Sequence, residues 1–178
     1  MLVRNSNPPK VFVSYTHDSP KHTDRVLELS NRLRADGVDM VLDQYLDSPP
    51  SNWSLWAREQ IEQVDFVLII CTENYYRHVM EKEPKDTSSE ITWEAELISQ
   101  YISEASTRDH KFIPVLFDFS DGAYIPDPIN VMYYPVHTQQ GYDALYRFLV
   151  GGSLVAGSTS RKLPQLEPKV RKQDFFKE

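Results

Sequence analysis

At 178 residues the chain has room for one domain of about 150 residues and a tail, and its 40% apolar content supplies one core. A formal net charge of -7 argues against a general nucleic-acid surface. Cys71 is the single cysteine, which excludes an internal disulfide and reads as a buried core residue, and Met1 to Lys10 has no apolar stretch of the signal-peptide kind, so the chain reads as cytosolic.

Lys10 to Tyr15 is expected to form a first strand. Ser19 is placed to cap the helix after it, with Pro20 at the first helical position, where its missing N–H costs nothing. His22, Val26, Leu29 and Leu33 recur at helical spacing, and Gly37 can stop the helix. Val38 to Asp43 then reads as a second strand, completing a βαβ unit whose crossover is right-handed. After the double-proline loop Leu46 to Asn52, the residues Trp53, Ala57, Ile61 and Val64, with Trp56 beside them, mark the buried side of a second helix.

Phe66 to Cys71 is six apolar residues in a row. A strand without polar alternation must be covered on both faces, the condition of a central strand in a parallel sheet, and this one is too short to span a membrane. Glu73 to Val79 suggests a short helical turn, and Met80 to Ser89 an exposed stretch. A helix starting near Ser88 or Ser89 is expected to run through Trp93, Leu97 and Tyr101. Phe112 to Phe117 reads as a fourth strand, which Pro114 puts near the sheet edge or at a bulge. Val131 to Tyr134 suggests a short fifth strand, and Tyr142, Leu145, Phe148 and Leu149 a closing helix. The composition changes at Gly151, giving a domain over residues 9–150 and a tail or linker over 151–178, with Leu163, Leu166, Phe175 and Phe176 as candidate docking points.

In an open parallel sheet ligands bind beyond the carboxyl ends of the strands. The residues delivered there are Tyr15 to Asp18, Asp43 to Tyr45, Thr72 to Asn74 and Phe117 to Asp121, a rim rich in carboxylates and aromatics. The first loop has neither the glycine fingerprint of a dinucleotide fold nor a P-loop, which argues against a dehydrogenase or an ATPase. The five histidines are dispersed without zinc spacing, so no metal is expected. His17 is the best placed of them to touch a ligand, against a capping or surface role. Glu90, Glu94 and Glu96 fall at the start of the helix after the central strand, whose positive end helps keep a carboxylate ionised. With Trp93 packed toward the sheet, Glu96 lies on a nearby side within reach of the cleft; a solvated helix charge is the alternative for all three.

Lys10 to Pro20, Leu33 to Tyr45, Trp56, Val64 to Thr72 with Tyr75, and Trp93 to Ile98, in this order and spacing, resemble a bacterial SEFIR domain. SEFIR domains are relatives of Toll/interleukin-1 receptor (TIR) domains and also occur in interleukin-17 receptors and their adaptor. The resemblance covers roughly residues 9–150. It implies a flavodoxin-like three-layer α/β sandwich with a five-stranded parallel sheet of order 2-1-3-4-5, and a loop after the second strand, here 44–52, that governs self-association or pairing with another SEFIR or TIR-type domain. In TIR relatives that are enzymes, a glutamate in the helix after the third strand supports cleavage of the nicotinamide–ribose bond of NAD. Glu96 resembles it, three residues after Trp93 where the plant pattern has four. The resemblance thus implies an assembly-activated NAD glycohydrolase serving bacterial defence, with NAD as substrate and no cofactor required. Glu96 would be catalytic, and Tyr15, His17, Asp43, Tyr45 and Trp53 would bind the nucleotide. Animal SEFIR domains act chiefly as interaction modules, which keeps a non-catalytic adaptor as the alternative.

Overall fold

A computed structural model of the chain describes residues 8–81, 91–104, 110–127, 129–130, 132–151 and 165–172, with backbone alone at 81 and 91–96. Five strands form one parallel sheet: β1 (Lys10–Ser14), β2 (Asp39–Val41), β3 (Phe66–Ile70), β4 (Phe112–Leu116) and β5 (Tyr134–Pro135). Their order is β2-β1-β3-β4-β5, the expected flavodoxin-like order. The helices are α1 (Pro20–Ala35), α2 (Trp53–Gln63), α3 (Glu73–Tyr76, continued by a π turn at Arg77–Glu81), α4 (Ile91–Glu104) and α5 (Gln139–Gly151).

The unbroken apolar run of β3 has the expected cause. Leu68 and Ile70 enter one core with residues of α1 and α5, among them Val26, Leu33, Tyr142 and Leu145. Val67, Ile69 and Cys71 enter the other, with Ala57 and Ile61 of α2 and Leu97, Ile98 and Ile102 of α4. Burying each such aliphatic side chain stabilises the fold by about 1.5–3 kcal/mol, so both helical layers are anchored on this strand.

Local signals also act as expected. The Ser19 hydroxyl accepts from the His22 N–H at 3.1 Å, with Pro20 opening α1. Gly37 takes a φ of 95°, the left-handed geometry that favours glycine after a helix. The second strand is shorter than the sequence suggests, because Asp43–Tyr45 winds into a 3-10 turn.

β4 is fully buried and lies between β3 and the edge strand, its register against β3 running unbroken through Ile69↔Pro114. Pro114 is tolerated because of the direction it faces. Lys111 and Val115 carbonyls accept from β3, whereas the Leu116 carbonyl accepts from Val136 on the β5 side. Pro114 therefore faces β5, whose pairing starts only at Val115↔Tyr134, and no ladder bond is lost.

β5 lies further along than the apolar run Val131 to Tyr134 suggests. Met132 and Tyr133 are each 50% exposed, Val131 lies outside the described residues, and Pro135 is accommodated at the edge. The start expected for α4 near Ser88 or Ser89 also lies outside the described residues. No helix among the described residues is long and apolar enough to cross a membrane.

Candidate functional site at the carboxyl rim of the sheet

Strand order reverses between β1 and β3, and the chain leaving each of them meets the other at the carboxyl rim. Three polar contacts bridge the gap: Ser14 Oγ to Tyr75 Oη at 2.9 Å, Thr16 Oγ1 to Thr72 Oγ1 at 3.4 Å, and Asn74 Nδ2 donating to Asp18 Oδ1 at 3.0 Å. Thr72 also caps α3, its hydroxyl accepting from the Tyr75 N–H at 3.2 Å.

On the β2 side of the rim, the 3-10 turn brings Asp43 back over the end of β1. Tyr15 donates its hydroxyl to Asp43 Oδ1 at 2.8 Å, and His17 Nε2 lies 2.9 Å from Oδ2, donating when that nitrogen carries its proton. The Tyr15 and His17 rings stack, with centroids 4.7 Å apart and planes 22° apart. Both oxygens of one carboxylate thus hold one ring pair. Gln44 is buried behind it, its amide donating to the Tyr15 hydroxyl at 2.9 Å and to the Thr23 carbonyl at 3.0 Å.

Beside this pair, His22 lies between Tyr15 and Phe117, with centroid distances of 6.3 and 5.6 Å. Burial holds its pKa below the ordinary histidine value, outweighing the opposing pull of Asp18. Arg25 closes that flank, donating to the Phe117 carbonyl at 2.8 Å and to Asp118 Oδ2 at 3.3 Å. Burial raises the pKa of Asp121 on the same loop. Among the described residues no group of three or more His, Cys, Asp or Glu is arranged to hold a metal ion.

Of the residues named from the sequence, Tyr15, His17 and Asp43 are brought together, and Tyr45 and Trp53 are placed apart from them. Tyr45 turns to α1, donating to Asn31 Oδ1 at 2.7 Å, and burial pushes its hydroxyl pKa up to about 12. Trp53 opens α2 and meets Trp56 edge-on at 5.7 Å; Trp56 meets Phe12 in the same way at 5.6 Å, on the opposite face of the sheet from Tyr15. Glu96 lies in the second turn of α4. Because β3 and β4 are parallel, α4 runs back across the sheet and its first turns stand at the carboxyl rim. The side chains of Glu94 and Glu96, and all of Glu90, lie outside the described residues. Gln44 falls within the rim residues Asp43 to Tyr45 and the 44–52 loop expected from the sequence, but nothing in its local sequence marks its amide as the group that holds Tyr15.

A family model, SEFIR domain, matches residues 9–149. A crystal structure of a prokaryotic SEFIR domain is similar in fold, with a TM-score of 0.62 and 23% identity over 80% of this chain and 98% of that one. No match is found among curated proteins. The family match spans most of the chain, and the sheet order and helical layers agree with it; this chain belongs to the SEFIR family, TIR-like domains of signalling and protein–protein interaction.

Proposed function

We propose that this SEFIR domain is an assembly-activated NAD glycohydrolase, an effector of bacterial defence signalling. The supporting observation is the stacked Tyr15–His17 pair pinned by Asp43 at the rim from which α4 starts. Tyr15 is buried, so the His17 ring stacked on it is the part-exposed face suited to a planar nicotinamide or adenine. In this reading Glu96 orients the ribose hydroxyls and stabilises the oxocarbenium-like charge that grows as the C1′–N bond breaks and neutral nicotinamide leaves. Water, or another part of the nucleotide, captures the sugar. Placement and electrostatics carry the rate, with no metal or cofactor required. The loop 44–52 brings copies together and completes the site.

The test is nicotinamide release from NAD by the purified chain, dilute and under forced clustering, with Glu96→Ala and Glu96→Gln beside it. Turnover that rises on clustering and falls at least 100-fold in both variants, with assembly unchanged, supports the reading. Clustered wild-type chain that leaves NAD intact sinks it. The second reading, a non-catalytic module pairing with itself or another SEFIR or TIR-type domain, then takes its place. That reading is favoured by the exposure of Asp47, Ser48, Pro49, Ser51 and Asn52 on the 44–52 loop, where two prolines limit the conformational freedom lost on association.

A further inference from the structure

Residues 165–172 lie along α1, running opposite to it. The Leu166 N–H donates to the Arg34 carbonyl at 2.9 Å, and Arg34 Nε donates to the Glu167 carbonyl at 2.9 Å. Asn31 pairs with the Lys169 backbone in both directions, its Nδ2 donating to the carbonyl at 3.0 Å and its Oδ1 accepting from the N–H at 3.1 Å. Arg171 donates to Asp24 Oδ1 at 2.6 Å.

The segment then reaches the turn after β2. Arg171 Nε donates to Gln44 Oε1 at 2.7 Å, the Lys172 N–H donates to the Gln44 carbonyl at 3.1 Å, and Lys172 Nζ lies 3.6 Å from Asp47 Oδ1. Lys169 Nζ stands 5.3 Å from the centre of the Tyr45 ring. Gln44, Tyr45 and Asp47 open the loop assigned above to association. Gln44 and Asn31 are shared, since the same two amides also hold the hydroxyls of Tyr15 and Tyr45. Every one of these contacts is polar, and only Leu166 and Arg171 of the segment are part-buried. The Arg171–Asp24 and Lys172–Asp47 ion pairs are of the surface kind, individually weak and weakened by salt. No apolar side chain of the segment joins either core, so the strap can be given up and remade with both cores intact.

We propose that residues 165–172 are a releasable basic strap that covers the face made by α1 and residues 44–47, and that lifting it opens this face to a second copy of the domain. The proposal rests on the reading of 44–52 as the association loop. In the bound state the strap fixes Gln44 and so the Tyr15–Asp43 contact. In the lifted state the carboxylates of Asp24 and Asp47, 59% and 87% exposed even with the strap in place, lose their cationic partners, and the side-chain and backbone carbonyls of Gln44 are freed for another chain.

The experiment uses the full chain with Arg171→Glu, which sets two carboxylates against each other at Asp24, and the charge-restoring pair Asp24→Arg with Arg171→Glu. Amide hydrogen exchange over residues 43–47 and sedimentation velocity are read on each. Arg171→Glu is expected to speed exchange about fivefold and to tighten self-association at least tenfold, and the paired variant to return both toward wild type. Unchanged exchange, or faster exchange with unchanged or weaker self-association, overturns the strap. Ser51→Arg in the Arg171→Glu background separates this result from the reading beneath it. Association gained by Arg171→Glu but indifferent to Ser51→Arg keeps the strap and removes residues 48–52 from the contact; association lost in both backgrounds with Ser51→Arg keeps both.

Discussion

The Tyr15 hydroxyl donates to Asp43 Oδ1 at 2.8 Å, joining the end of β1 to the turn after β2. The contact is part-buried and Asp43 is only 13% exposed, so a missing partner is not fully replaced by water. Tyr15→Phe is expected to lower stability by about 1 kcal/mol, and Asp43→Ala by about 1–3 kcal/mol because it also strips His17. A double-mutant cycle by urea unfolding should return a coupling of about 1 kcal/mol. Additive losses would mean that the two side chains do not support each other.

Gly141 is a stricter constraint. A Cβ there would stand 2.1 Å from the Pro135 carbonyl oxygen and 2.9 Å from the Thr138 hydroxyl, which itself accepts from the Gly141 N–H at 3.0 Å. The obstacle is largely backbone and has no rotamer to yield. Gly141→Ala is expected to destabilise the domain by about 2–3 kcal/mol and to lower the melting temperature by roughly 5–10 °C. Gly122→Ala is the control, its Cβ meeting nothing nearer than Leu116 Cδ1 at 3.8 Å. Equal melting temperatures for the two variants would contradict the packing of α5 on β5.

The sequence carried the sheet more clearly than the rim. The apolar run of β3, the Ser19–Pro20 start and Gly37 each act through neighbours a few residues away or through burial on both faces, and each is visible in a short window. The separation of Asp43 from Tyr45 is not, because a 3-10 turn of about three residues per turn sends two residues of one short segment to different sides. Gln44 and Arg171 are 127 residues apart in the chain, and no periodicity connects them. The bounds of β5 shift for a related reason: the pairing with Val115 and Leu116 selects Tyr134–Pro135, while Met132 and Tyr133 are exposed. In the tail, Leu166 meets the domain through its backbone N–H, whereas Leu163, Phe175 and Phe176 lie outside the described residues.

Cys71 is fully buried, and burial pushes its thiol pKa up to about 12. At pH 8 the reactive thiolate is then about one part in ten thousand of the native thiol, and reagent must also wait for the core to open. Iodoacetamide is expected to label the native chain at least a thousandfold more slowly than the chain in guanidinium, measured by intact mass. Comparable rates would remove Cys71 from the core shared by β3, α2 and α4.

His22 links the first turn of α1 to the rim, and its Nε2 is buried without a hydrogen-bond partner. Burial is the first cause of its lowered pKa; Arg25 and His17 add to it and Asp18 opposes it. The sign follows from which state binds the proton more readily. Below the unfolded value of 6.5 the unfolded chain takes up a proton that the folded ring resists, so stability is full above that pH and falls as the pH drops through it toward the folded pKa. His22→Gln carries no such proton and isolates the effect from the carboxylates that titrate lower. Urea midpoints at pH 7.5 and 5.5 should fall further for wild type than for His22→Gln. An equal fall in both would show that His22 is as easily charged in the folded chain as in the unfolded one, and that the space between Tyr15 and Phe117 is open to water.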